Sequence, residues 1–189
     1  MQFRTIPVGD LETNCYILFK EGRNDAVILD PGADAEDILA ALEGRIPAAV
    51  LLTHGHYDHT GALRAFENVP IYIHQMDSVM LEDSHYSFGR IAGDHARRPQ
   101  ATAYLSEGQV LNLAGMELHI LHTPGHTRGS VCFKSGEELF TGDTLFKGDY
   151  GRTDLPGGSE EQMRASLRRL FTLSGCRFYP GHGPGGIIK

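Results

Sequence analysis

Ala48-Ala49-Val50-Leu51-Leu52-Thr53-His54-Gly55-His56-Tyr57-Asp58-His59 is the stretch whose reading decides the fold. Its first five residues are a continuous apolar run, too short for an ordinary helix and bounded by loop, which suits a strand buried on both faces. The strand runs straight into a cluster of metal-ligand side chains. His54 and His56 are two apart in extended backbone, so both leave the chain on the same side, as two ligands of one ion require. Asp58 and His59 follow where the chain turns toward the next helix, and a turn can aim them at a second ion close by.

Three more ligand-type residues stand in equivalent places, each after a predicted strand and directly after a glycine. They are His126 in Thr123-Pro124-Gly125-His126, Asp143 in Phe140-Thr141-Gly142-Asp143, and His182 in Tyr179-Pro180-Gly181-His182. Glycine lets the backbone turn sharply there. If the strands end along one rim, all seven groups converge, and the combined pattern is far more specific than any one histidine. Imidazole with carboxylate suits zinc, iron or manganese rather than calcium or magnesium, with zinc first. Two divalent ions carry a charge of +4, and Asp58 with Asp143 offset half of it, which leaves an electrophilic centre with room for a bridging hydroxide.

Working outward from this stretch, Thr13 to Phe19 and Ala26 to Leu29 read as strands around the turn Glu21 to Asp25, and Asp34 to Leu42 as a short helix with Ile38, Leu39 and Leu42 on its apolar side. Gly61 to Phe66 and Asp77 to Leu81 read as helical turns, Ile71 to Ile73 as a short strand, and His85 to Gln100 as a long loop. Gln109 to Leu113, Met116 to His122, Ser130 to Lys134 and Glu138 to Phe140 form a second run of strands. Ser159 to Leu173 is the strongest helix, capped by Ser159, with Met163, Leu167, Leu170 and Phe171 as its stripe. Arg177 to Tyr179 is the last strand. Two runs of strands, each interleaved with helices, predict an α/β fold of two packed sheets covered by helices, a four-layer αββα sandwich.

Residues 1–189 have the length of one domain. Hydrophobic residues make up 41% and charged residues 22%, the profile of a folded globular chain. Seventeen basic residues against twenty-four acidic ones give a formal charge of −7, which argues against a nucleic-acid or anionic-membrane partner. The chain has neither an apolar span nor a secretory h-region, so the expected compartment is cytoplasmic. Cys15, Cys132 and Cys176 are widely spaced and read as buried apolar residues rather than disulfides or zinc ligands. His74, His85, His95, His119 and His122 lack comparable context and read as structural or solvated.

These motifs are similar to those of the metallo-β-lactamase superfamily, most closely its glyoxalase II-like hydrolases. The resemblance runs from Asn14-Cys15-Tyr16 through Asp30-Pro31-Gly32 to Gly181-His182-Gly183-Pro184. Gly142-Asp143-Thr144-Leu145-Phe146 and Gly151 to Gly158 narrow it to the single-domain branch. It implies the αββα fold, with His54, His56 and His126 on one ion, Asp58, His59 and His182 on a second, and Asp143 bridging. Asp143 resembles the glyoxalase-type ligand, whereas many β-lactamases place a cysteine at the second site, so β-lactam hydrolysis is not expected. Gly55 departs from the family's frequent T-H-H-H, at a position that carries no ligand. The chain runs only seven residues past His182, and no C-terminal helical domain for glutathione is expected.

The implied activity is hydrolysis of a hydroxyacyl-thioester such as S-lactoylglutathione by a metal-bridging hydroxide, with Asp58 and Asp143 as catalytic carboxylates. Arg152 and Tyr150, in a glycine-rich loop, are the candidates for holding an anionic substrate arm, and a surface ion pair of Arg152 with Asp149 or Asp154 is the alternative. The rival activity is a mononuclear-iron persulfide dioxygenase, in which His54, His126 and Asp143 hold one iron. The partner is a small-molecule thioester, and the sequence leaves the oligomeric state open.

Overall fold

The structure, a computed structural model, describes residues 1–189. Twelve strands form two six-stranded sheets. The first contains β1 (Gln2–Val8), β2 (Thr13–Phe19), β3 (Asp25–Leu29), β4 (Ile46–Leu51), β5 (Ile71–His74) and β6 (Ala103–Leu105), in that spatial order. β1, β2 and β3 are antiparallel neighbours, and β3 through β6 run parallel. The second contains β7 (Val110–Leu113), β8 (Met116–His122), β9 (Val131–Ser135), β10 (Glu138–Gly142), β11 (Arg177–Pro180) and β12 (Gly186–Ile187). Here β10 and β11 are parallel and all other pairs antiparallel.

The period-two pattern of the central strands builds the layers. In β2, Tyr16 and Leu18 face the inter-sheet core with Val27 and Leu29 of β3, Leu51 of β4, Leu118, Phe133 and Phe140. Their alternates Cys15, Ile17, Ile28 and Val50 face the opposite way, against Ile38, Leu42, Leu63, Phe66 and Leu81. The second sheet's outer face, with Cys132, Leu139 and Phe178, is covered by Met163, Leu167 and Leu170. Strands buried on both faces cannot slip by one residue without exchanging two packed cores, which fixes the register. Truncating a side chain as enclosed as Leu51 costs about 2–5 kcal/mol.

Four α-helices are present: α1 (Ala35–Ala41), α2 (Tyr57–Thr60), α3 (Val79–Glu82) and α4 (Glu160–Leu170). The Ser159 side chain accepts from the backbone N–H of Gln162 and caps α4, with Glu160 and Glu161 in its first turn. Leu63–Phe66 and Gln75–Asp77 are 3-10 turns. Two residues assigned to apolar stripes face solvent instead: Leu39 on α1 and Phe171 just past α4. Their neighbours Ile38 and Leu170 take the buried side of each helix end instead. All three cysteines are buried and free. No helix is long and apolar enough to cross a membrane.

β3, β4, β8, β10 and β11 deliver their C-terminal ends to one rim. From these ends come Asp30, His54 with His56, His126, Asp143 and His182.

Candidate metal centre

The sequence brings together all seven expected groups. Ligand atoms of His54, His56 and His126 form one cluster, those of His54, His59 and Asp143 a second, and those of Asp58, His59 and His182 a third, each with atoms within 4.8 Å of one another. The Nδ1 of His56 lies 3.1 Å from Nε2 of His54 and 2.9 Å from Nε2 of His126. Nitrogens sharing one tetrahedral ion at ordinary bond lengths stand about 3.3 Å apart. Asp143 reaches both sides: Oδ2 lies 3.5 Å from His126 Nε2, and Oδ1 lies 3.4 Å from His59 Nε2. Asp58 Oδ2 lies 3.2 Å from His182 Nε2 and 3.5 Å from His59 Nε2.

The groups behind the imidazoles fix which nitrogen faces the centre. Thr53 Oγ1 donates to Asp30 Oδ2 at 2.6 Å, so it accepts from His54 Nδ1 at 3.0 Å. His59 Nδ1 donates to Asp30 Oδ2 at 3.0 Å, His126 Nδ1 to the Arg152 carbonyl at 2.8 Å, and His182 Nδ1 to the Leu11 carbonyl at 2.9 Å. Four histidines thereby turn Nε2 toward the cluster, the nitrogen that a metal-binding imidazole of this orientation uses. His56 presents Nδ1 instead. Its Nε2, with Asp143 Oδ1, is a buried polar atom without a hydrogen-bond partner.

The electrostatics match a cation site. Burial first, then the neighbouring imidazoles, holds His54 well below the ordinary histidine range, and burial with His126 pushes His56 down to about 3. His59 behaves oppositely: burial opposes its charge, but Asp58, Asp143 and Asp30 together raise it to about 10. Burial opposes ionisation of Asp58 too, yet His59 and His182 outweigh it and hold the carboxyl well below its usual range. Lone pairs facing one another, an unpartnered carboxylate oxygen and a proton trapped on His59 are what a divalent ion in their midst would resolve, so these residues fit such an ion.

Each glycine before a ligand has its own reason. Gly125 and Gly142 take positive φ, 145° and 47°. Gly181 does not; a Cβ there would sit 2.7 Å from Cε1 of His59 and inside contact distance of Asp143 Oδ1. Asn14 and Tyr16 explain why their motif accompanies the site. The Asn14 side-chain amide donates to the carbonyls of Pro180 and Gly183, and the Tyr16 hydroxyl to that of Pro180 at 2.6 Å, which pins the loop bearing His182.

Arg152 and Tyr150 reach the centre's edge differently. The Arg152 guanidinium donates twice to Asp154, at 2.8 Å each, in an exposed pair, and its carbonyl is what meets His126. The Tyr150 hydroxyl donates to Glu160 at 3.1 Å. Sequence reasoning missed Asp30, Thr53 and Thr13 as site residues. Asp30, at a positive φ of 49°, accepts from the Thr53 backbone N–H, the Thr53 hydroxyl and His59, and Thr13 Oγ1 donates to Asp58 Oδ2 at 3.1 Å. A carboxylate followed by Pro31-Gly32 at the end of an apolar strand is the signal that marked Asp30. The remaining histidines lie outside the cluster, with His74 stacked on His122 and His119 paired with Glu117.

Fold and site together define a metallo-hydrolase architecture, and the chain belongs to the metallo-beta-lactamase superfamily, whose family model matches residues 8–182. Among its relatives, the hydroxyacylglutathione hydrolase GloC of Haemophilus influenzae is 36% identical, over 97% of this chain and 91% of its own length. Among solved structures it is similar to TTHA1623 in a di-iron-bound form, 38% identical with a TM-score of 0.87, covering 98% of this chain and 94% of that one. It is likewise similar to the BLEG-1 B3 metallo-beta-lactamase, 36% identical with a TM-score of 0.93, covering 99% and 94%.

Proposed function

We propose that this protein is a two-metal hydrolase of hydroxyacyl-thioesters, with S-lactoylglutathione as the representative substrate. The observation that carries the proposal is the placement of Asp143, whose two carboxylate oxygens face His126 on one side and His59 on the other. In this reading His54, His56 and His126 hold one ion, Asp58, His59 and His182 the second, and Asp143 both. The rival with one iron on His54, His126 and Asp143 leaves His56, Asp58, His59 and His182 without employment, although all four are inside the same cluster. Zinc is the first candidate, and the di-iron form of a relative 38% identical puts iron beside it.

Two bound divalent ions supply Lewis acidity, which makes water nucleophilic near neutral pH and offsets the charge of an oxyanion. The chain's own groups do the positioning. Asp30, Leu11 and Arg152 hold ring nitrogens through the contacts described above, so the imidazoles need no reorganisation during turnover. Thr13 orients Asp58, whose Oδ2 faces Nε2 of His59 and of His182 and so serves as an orienting ligand group. A thioester suits a centre without a strong general acid, because a thiolate leaves near neutral pH with little protonation. The GloC relative adds support for the acyl-glutathione class.

The test pairs elemental analysis of protein purified without added metal with hydrolysis assays on the same sample. Two ions per chain and cleavage of S-lactoylglutathione are expected. One iron with oxygen uptake on glutathione persulfide sinks the hydrolase reading, and efficient cleavage of a chromogenic cephalosporin without thioesterase activity moves the substrate to the β-lactam class carried by the BLEG-1 name.

A further inference from the structure

Asp77 ends the 3-10 turn after β5, an element that contributes no ligand to the metal centre, and it is fully buried. Its carboxylate faces donors from the 126–130 turn: Oδ1 accepts from the Gly129 backbone N–H at 2.7 Å and Oδ2 from the Thr127 hydroxyl at 2.6 Å. Thr127 Oγ1 is itself 2.7 Å from Ser130 Oγ, which tightens the 126–130 turn. Both this turn and the loop holding Gly55 run against this element with no side chain between. A Cβ on Gly129 would lie 2.7 Å from the Asp77 carboxyl carbon, and one on Gly55 would lie 2.6 Å from the Cβ of Met80.

Gly55 separates His54 from His56, and Thr127 follows His126. Asp77 therefore stands between the two segments: its carboxylate hydrogen-bonds the turn after His126, while its backbone carbonyl and the neighbouring Met80 pack directly on Gly55. A carboxylate buried without a cation is costly: burial raises the Asp77 carboxyl above its usual range, and the hydrogen bonds from Thr127 and Gly129 offset only part of that. A neutral isostere has one acceptor oxygen and cannot accept from Thr127 and Gly129 on its two sides at once.

We propose that Asp77 is a positioning residue for the metal centre: it ties the His54-Gly55-His56 loop to the His126–Gly129 loop and sets the spacing of the three imidazoles across which His56 Nδ1 and His126 Nε2 stand 2.9 Å apart. The proposal rests on the metal-centre reading above and adds a selective consequence. Loosening Asp77 weakens the ion held by His54, His56 and His126 and spares the one held by Asp58, His59 and His182, whose residues it does not hydrogen-bond.

The experiment titrates metal-free protein with cobalt(II), read by calorimetry and visible absorption, with His56→Ala and Asp58→Ala assigning the two steps. Asp77→Asn is expected to weaken the three-histidine step about tenfold to a hundredfold, with the other step within about twofold. Thr127→Val should shift the same step in the same direction, and Thr127→Ser, which keeps the hydroxyl, should restore it. Asp77→Asn that leaves both steps unchanged, or weakens both alike, overturns the positioning role while leaving the metal centre standing. A wild-type protein that takes up no cobalt overturns the metal centre and this role with it. Should Asp77→Asn fail to fold, the Thr127→Val and Thr127→Ser pair decides by the same criterion.

Discussion

Gly181→Ala tests how tightly the centre is built. The added methyl carbon would stand 2.7 Å from His59 Cε1 and press on Asp143 Oδ1. Carbon atoms rest at about 3.5–4.0 Å, so roughly 1 Å of relief is required. The backbone cannot supply it: Gly181 N donates to the Gly142 carbonyl at 2.8 Å, and the Gly181 carbonyl accepts from Asn14 N at 2.7 Å. The carboxylate and imidazole must move instead. Overpacking of this kind costs about 1–3 kcal/mol, which for a chain of this size lowers Tm by about 2–4 °C per kcal/mol. A misplacement of about 1 Å in the reacting groups lowers kcat/KM by about a hundredfold. Gly183→Ala is the control. It carries a φ of 69° but has nothing within 4 Å of its added carbon, so backbone strain lowers its Tm while metal content stays at the wild-type level. Thermal melts, metal analysis and thioester kinetics on both variants give the answer. Gly181→Ala protein with two ions, an unshifted Tm and activity within threefold of wild type would falsify the steric argument.

Asp30→Ala strands three donors, Thr53 N, Thr53 Oγ1 and His59 Nδ1, at about 1–3 kcal/mol for each buried group left unpaired; denaturant unfolding should show a loss of several kcal/mol, and a loss below about 1 kcal/mol contradicts the network. In metal-free protein near pH 7, His59 carries a proton, because its carboxylate neighbours raise its pKa to about 10. An ion binding at Nε2 must expel that proton, so affinity rises with pH by about tenfold per unit for each proton displaced. Calorimetric titrations in two buffers of different protonation enthalpy should report release of at least one proton at this step, since His182 is raised too, and none released refutes it. Arg152→Ala should raise KM for thioesters with an anionic arm and leave kcat alone, with little loss of stability because its pair with Asp154 is exposed; an unchanged KM returns Arg152 to the surface.

Much of the architecture was legible because the central strands are buried on both faces and write continuous apolar runs, as Ala48 to Leu52 does. The seven-residue convergence was legible for a related reason: strand ends bounded by glycine announce where side chains are delivered. The edges were not. β1 contains Pro7, which ordinarily speaks against a strand and is tolerated here because β1 is the outermost strand of its sheet. β6 and β12, of three and two residues, are too short to show a period. Nor could spacing reveal what the far nitrogens meet, since the carbonyls of Leu11 and Arg152 belong to any sequence. The guanidinium of Arg152 was readable as a charge, but its capture by Asp154 depends on a turn that only the fold specifies.

The contacts of Asn14 and Tyr16 with the Pro180 and Gly183 carbonyls also bear on how the protein is made. During synthesis His54, His56 and His126 leave the ribosome first, while the loop that carries His182 and the strand that supports it follow dozens of residues later. At about 5–20 residues per second, a nascent chain spends seconds with three of these imidazoles made and no complete second site. The cluster is then closed last in time as well as in space, because the His182 loop takes its place only when the first strands of the chain meet its last.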